Sequence, residues 1–132
     1  MAKDFSVLVG SVGGGLARSP DGGQTWSRLR EPIEPESNVR ALATYPDDPR
    51  RILAGSDNGV FRSEDGGVSW TRLKTPIDGI QIWSLGIDPA DSEVIFVGTK
   101  PDAFRSRDGG KTWDKLSLGV TNPCAVGVPR TT

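Results

Sequence analysis

The sequence predicts an all-β chain built from repeated antiparallel sheets, and three observations carry that expectation. The first is a phrase written three times: Ser19-Pro20-Asp21-Gly22-Gly23-Gln24-Thr25-Trp26, Ser63-Glu64-Asp65-Gly66-Gly67-Val68-Ser69-Trp70 and Ser106-Arg107-Asp108-Gly109-Gly110-Lys111-Thr112-Trp113. Asp65 follows Asp21 by 44 residues and Asp108 follows Asp65 by 43, so the chain is an internal repeat. The second is a set of β-branched and aliphatic runs of strand length that recur in step with the phrase. The third is composition. Gly 17 and Pro 10 fit short strands joined by tight turns. No stretch shows sustained 3.6-residue periodicity with caps, so almost no helix is expected.

Taken in order, Phe5-Ser6-Val7-Leu8-Val9-Gly10 reads as a buried strand, with equivalents at Arg51-Ile52-Leu53-Ala54-Gly55 and Val94-Ile95-Phe96-Val97-Gly98. A short turn follows each, at 11–14, 56–58 and 99–101. A second short strand then ends in Arg18-Ser19, Arg62-Ser63 or Arg105-Ser106. Next come the repeated phrase and a last strand of alternating character, such as Ser69-Trp70-Thr71-Arg72-Leu73. The second and third repeats also open with an extra strand, Val39 to Thr44 and Ile82 to Ile87, each leading into a Pro-Asp turn. Four strands in about 43 residues is the size of one blade of a radial β-sheet array. The first repeat begins at its second strand. After the last repeat, Cys124-Ala125-Val126-Gly127-Val128 is one candidate for the missing innermost strand. The preferred alternative aligns Arg130-Thr131-Thr132 with Arg40-Ala41-Leu42, as the start of a further strand.

Asp-Gly between extended runs is a strong hairpin signal, because glycine accepts the positive φ such turns need. The aspartate takes hydrogen bonds from its own turn's N–H groups and from the Ser/Thr hydroxyls, and the tryptophan packs as the next strand begins. The pattern resembles the Asp-box, or bacterial neuraminidase repeat, found in β-propellers such as sialidases, xyloglucanases, sortilin-type receptors and photosystem II assembly factors. The resemblance spans nearly the whole chain. It implies a partial β-propeller of about three four-stranded antiparallel blades, each with an Asp-box hairpin: blade 1 about 5–30, blade 2 about 38–74, blade 3 about 81–117 and a tail 118–132. In that family the box is a structural turn on the blade rim, away from the central ligand site. The expected structural set is Ser19, Asp21, Gly22, Gly23 and Trp26; Ser63, Asp65, Gly66, Gly67 and Trp70; and Ser106, Asp108, Gly109, Gly110 and Trp113.

The 132 residues are one domain's worth of chain, and a formal charge of −1 gives no field for nucleic acid or an anionic membrane. No apolar run approaches the ~20 residues of a spanning helix. Met1-Ala2-Lys3-Asp4 lacks the apolar core of a signal peptide, and the lone Cys124 has no internal partner. Together these favour the cytoplasm, unless a leader is missing. With no histidine, a histidine metal site and a Ser-His-Asp triad are excluded. No cofactor and no metal are expected.

The candidate ligand face lies opposite the boxes. It comprises Arg40 and Trp83, at equivalent positions on innermost strands, with Asp57, Asn58 and Lys100 in the neighbouring turns. The box aspartates as cation or sugar ligands, and the box tryptophans as sugar platforms, are weaker readings, since one turn-building role explains every copy. Arg18, Arg62 and Arg105 share one position; an arginine cluster suits a carboxylate, but equivalent positions on separate blades lie apart, so each is expected to pair locally. The run Glu31 to Glu36 reads as a solvated loop. Tyr45, the only tyrosine, falls on the box side, the wrong side for a sialidase-type nucleophile. Sialidase relatives carry an Arg-Ile-Pro motif before the first box. Here Arg51-Ile52-Leu53 is a partial echo, and no facing acid and nucleophile pair can be placed. Asp57 and Asp88 are the nearest substitutes for xyloglucanase-type aspartates. No catalytic residue is therefore assigned. The expected function is a non-enzymatic scaffold binding a protein or carbohydrate; the alternative is a fragment or self-assembling half of a sialidase-like or xyloglucanase-like glycoside hydrolase. One assembly open to such a chain is a homodimer completing a six-bladed ring; with a truncated tail the alternative is an aggregation-prone monomer, or a unit stable only within a longer parent.

Overall fold

The computed structural model describes residues 5–77, 80–100, 102–119 and 123–129. These hold eleven strands and no helix. The first sheet contains β1 (Val7–Gly10), β2 (Leu16–Ser19) and β3 (Ser27–Arg28). The second contains β4 (Val39–Tyr45), β5 (Asp48–Ser56), β6 (Gly59–Ser63) and β7 (Thr71–Arg72). The third contains β8 (Ile82–Asp88), β9 (Asp91–Thr99), β10 (Ala103–Ser106) and β11 (Asp114–Leu116). Within each sheet, strands neighbouring in sequence pair antiparallel, the meander expected of a propeller blade. The expectation of four strands per blade is corrected for the first sheet. β1 has no inner neighbour among the described residues, as the start of the first repeat at its second strand led one to expect. The segment 123–129 forms no ladder, and Arg130-Thr131-Thr132 lies outside the described residues.

Adjacent sheets pack face to face through two apolar clusters. Leu8, Leu16, Ile33, Val39, Ile52, Ala54, Phe61 and Trp70 join the first sheet to the second. Leu53, Val60, Ile77, Ile82, Leu85, Ile95 and Val97 join the second to the third. Along β5, Ala54 and Leu53 serve opposite clusters, the period-2 alternation of a strand buried on both sides. The inner strands come too close for side chains at one point. A Cβ on Gly10 would stand 2.3 Å from the Val39 carbonyl oxygen, and one on Gly55 2.3 Å from Ile82 Cγ2. Ile33 and Ile77, each only 1% exposed, plug the sheet junctions from the connecting loops. The solvated reading of the run Glu31 to Glu36 is thereby corrected at its centre. Pro32-Ile33 and Pro76-Ile77 recur 44 residues apart, a second repeat signal that charge pattern alone concealed.

Each box is a closed hydrogen-bonded turn. In the second, the buried Ser63 hydroxyl donates to Asp65 Oδ1 at 2.8 Å and accepts the Gly67 N–H at 2.8 Å. Asp65 Oδ1 also takes the Val68 and Ser69 N–H groups at 3.1 and 2.9 Å, and Oδ2 takes the Ser69 hydroxyl. Trp70 Nε1 donates to the Gly67 carbonyl at 3.0 Å. Ser19, Asp21, Thr25 and Trp26 repeat the network, as do Ser106, Asp108, Thr112 and Trp113. Both glycines of every box sit at positive φ, from 72° to 102°, which is why the pair is written three times. Donors aimed at the charged form hold Asp21, Asp65 and Asp108 at about 2, below the usual 3.8; the hydroxyls of Thr25, Ser69 and Thr112 contribute most.

The arginines that end the second strands reach farther than expected. Arg18 Nε donates to the Gly66 carbonyl at 3.0 Å, and Arg62 Nη1 to the Gly109 carbonyl at 3.4 Å. Each therefore grips the box of the next blade, and Arg62 also pairs locally as expected, its Nε 4.0 Å from Glu64 Oε1. The tryptophans also diverge from the uniform packing expected of them. Trp70 is 7% exposed and Trp113 half-buried, whereas Trp26, which faces no sheet among the described residues, is 48% exposed.

Three predictions follow from this packing. Ser63→Ala leaves the buried Gly67 N–H without an acceptor and should cost about 1–3 kcal/mol in thermal or urea unfolding; Asp65→Ala should also lower the melting midpoint. Gly55→Ala drives a methyl into Ile82 and should cost about 1–3 kcal/mol in the same unfolding measurement. The third concerns pH. Because the folded-state values of the box aspartates are depressed, their stabilising effect is present above pH 3.8 and is lost as pH falls from there toward about 2. Melting midpoints measured in steps across that window should fall, and Asp65→Asn should flatten the fall.

Candidate functional site

Strand direction separates the two ends of the molecule. The β4–β5 and β8–β9 turns and the boxes lie at one end. The β1–β2, β5–β6 and β9–β10 turns lie at the other, together with the starts of β4 and β8. Arg40 and Trp83 sit at this second end, each inside a register shift, between Val39 and Ala41 and between Ile82 and Ser84. A bulge inserts one residue without a ladder partner and re-aims its side chain. The same irregularity on successive inner strands thus turns both side chains away from the sheet. They meet: Arg40 Cζ stands 5.7 Å from the Trp83 ring centroid, within cation–π range. Trp83 Nε1 donates to Gln81 Oε1 at 3.1 Å, which fixes the ring, while Arg40 remains exposed.

The other residues of the expected face line the same end but are not equally free. The Asp57 carboxylate accepts the Asn38 N–H at 3.4 Å, and its own N–H donates to the Asn38 carbonyl at 3.1 Å. Asp57 therefore ties the β5–β6 turn to the chain entering β4. Asn58 donates from Nδ2 to Glu34 at 3.5 Å, and its carbonyl accepts Arg72. Lys100 is exposed beside Thr99, whose hydroxyl donates to the Asp102 carbonyl at 2.6 Å to close the β9–β10 turn. Arg40 and Trp83 are brought together; Asp57 and Asn58 serve the turn; Lys100 stands free on the rim of the next blade. Asp88, by contrast, lies at the box end and accepts the Ala90 N–H at 2.9 Å. Asp57 and Asp88 are thus separated by the length of the sheets.

A cleft of about 430 Å³ opens at the box end between the second and third sheets, lined by Tyr45, Arg51, Arg62, Lys74, Glu93 and Lys111 among others. Tyr45 is buried beneath Arg51, whose Cζ is 4.2 Å from the ring centroid, and Arg51 also pairs with Glu64 at 3.0 Å. This concavity was not anticipated, since its residues come from separate repeats and no single phrase announces it. Among the described residues no cluster of three or more Asp, Glu or Cys side chains is placed to hold a metal ion, and no helix is long and apolar enough to cross a membrane.

The BNR/Asp-box repeat family profile matches residues 104–115, the third box with its flanking strands. Comparison with curated protein sequences finds no relative. Among solved structures, an ancestral GH74 enzyme is similar with a TM-score of 0.74 at 20% identity, over 88% of this chain and 17% of that one. YCF48 bound to D1 peptide is similar with a TM-score of 0.65 at 18% identity, over 86% and 36%. The GH74 xyloglucanase from Xanthomonas campestris is similar with a TM-score of 0.63 at 21% identity, over 87% and 22%. The chain thus spans well under half the length of these structures, and at such identities the likeness is one of fold. Three box turns of one geometry, the BNR/Asp-box repeat matched at residues 104–115 and the shared architecture show a chain with an Asp-box repeat in a partial β-propeller fold.

Proposed function

We propose that the chain is a non-enzymatic binding scaffold whose ligand, a protein or a carbohydrate, docks at the end opposite the boxes. The observation that carries this reading is the paired bulge that lifts Arg40 and Trp83 out of successive inner strands and stacks them. A guanidinium held over an indole offers a planar donor fork for carboxylates beside an aromatic face for a sugar ring or side chain. Lys100 adds a positive charge on the same rim. Hydrolysis of a glycosidic bond needs two carboxyl groups facing each other across about 5–10 Å. Asp57 and Asp88 lie at opposite ends of the sheets, and both are engaged in their own turns. That placement favours binding over catalysis. The neighbours in fold include a protein solved with a peptide and one named a xyloglucanase, so both ligand classes belong in the test.

Titration of the chain with xyloglucan oligosaccharides and with carboxylate-bearing peptides, followed by calorimetry, is the deciding measurement. One class should bind, and Arg40→Ala, which alters an exposed side chain, should weaken that binding about tenfold or more while leaving the melting midpoint unchanged. Binding indifferent to Arg40→Ala and Trp83→Ala would move the site elsewhere. Turnover of fluorogenic glycosides would overturn the non-enzymatic reading.

A further inference from the structure

Among the described residues, the two flanks carry complementary features. On the first sheet, Val9 occupies the position held by Ala54 in the second and Val97 in the third, both 0% exposed; Val9 is 47% exposed. Trp26, the counterpart of the buried Trp70, is 48% exposed on the same flank. Both side chains point where a preceding blade would lie. β1 also has a bare inner edge, where β5 and β9 have β4 and β8.

On the third sheet the deficits are the reverse. Arg18 and Arg62 reach forward to the first-glycine carbonyl of the next box, but Arg105, in the same position, has a buried Nε with no hydrogen-bond partner among the described residues. A buried donor left unpaired is costly, and its natural acceptor is a box carbonyl on a following blade. The segment Pro123–Val128 already lies where that blade would begin. A Cβ on Gly98 would stand 2.6 Å from the Pro123 carbonyl oxygen, just as Gly55 faces Ile82 and Gly10 faces Val39. Val126 and Val128 pack over Gly86. With Pro123 set against Ile82, the stretch Cys124-Ala125-Val126-Gly127-Val128 falls on Trp83-Ser84-Leu85-Gly86-Ile87, small and apolar residues in matching order. The segment thus occupies the place of an inner strand without forming a ladder.

From these complementary deficits we infer that a second copy of this chain fills both flanks, closing a six-bladed ring. Pro123–Val128 of one copy becomes the inner strand against β1 of the other. By the register of β4 on β5, Ala125 pairs with Gly10, Val126 with Val9, and Gly127 with Leu8 of the second copy. Arg105 donates to the Gly22 carbonyl of the second copy, the counterpart of Gly66 and Gly109. Two copies give six blades, within the four to eight that propellers use; three copies would exceed it. The contact is head to tail, and a twofold axis along the propeller closes it, leaving no exposed inner edge. Arg40, Trp83 and Cys124 of both copies then surround one opening.

Sedimentation equilibrium at micromolar concentration should return twice the chain mass of 14.1 kDa. Val9→Glu changes a side chain that is exposed in the single chain, so the variant should fold, yet its dimer should dissociate at least about tenfold more readily, because the charge is buried on closure. Val9→Cys with Val126→Cys, in a Cys124→Ser background, should oxidise to a covalent dimer on a non-reducing gel. A cooperatively melting monomer would overturn the inference. So would a dimer insensitive to Val9→Glu, a species larger than two chains, or a cross-link confined to one chain.

Discussion

The carboxylate at the centre of each box gathers the Ser hydroxyl two residues before it, two backbone N–H groups and the Ser or Thr hydroxyl four residues after it. The serine in turn caps the N–H of the second glycine. With those donors satisfied, the chain can reverse direction over a buried serine hydroxyl and deliver a tryptophan to the sheet junction at a fixed angle. The rest of the molecule depends on that turn. It sets where the outermost strand starts and which face its aromatic residue buries. It also presents an outward carbonyl that the preceding blade's arginine can grip. Since the donors stabilise the ionised carboxylate, the turn is strongest where the aspartate is charged.

Blades in such an array stabilise one another mainly through nearest neighbours. Three copies of one tryptophan show this. Trp70 has a sheet on the side it faces and is buried, Trp113 is half-buried against the second sheet, and Trp26, which faces no sheet among the described residues, stands exposed. The local sequence is nearly the same in each case. Burial is therefore a property of the stack and not of the box. The arginine series behaves likewise: Arg18 and Arg62 find carbonyls across the junction, and Arg105 Nε finds none among the described residues.

In the proposed reading, function is carried by residues that break the repeat. The boxes occupy one end and are consumed by their own hydrogen bonds. At the other end, equivalent inner-strand positions hold arginine in one blade and tryptophan in the next, and a bulge frees both from the ladder. A scaffold of identical turns with variable side chains on the opposite rim separates stability from recognition. Folds of this kind host different activities for that reason. The cleft between Tyr45 and Lys111 is a second concavity of the same architecture, formed where two blades meet.

The sequence by itself determined the all-β class, the repeat length and the box turns, because each is a local consequence of residue type and spacing. Asp-Gly-Gly with flanking hydroxyls specifies its turn within eight residues, and alternating apolar runs specify strands within a dozen. It also singled out Arg40 and Trp83, since a departure from a repeat is visible once the repeat is aligned. Only the tertiary structure decided that these two side chains touch, that Asp57 is spent on Asn38, that Arg18 and Arg62 bridge blades, and that Ile33 is buried within an acidic loop. Those outcomes rest on residues some 19 to 48 positions apart coming within a few ångströms of each other. Periodicity reports which face of a strand a residue occupies, but the identity of what lies against that face is set by how successive sheets stack.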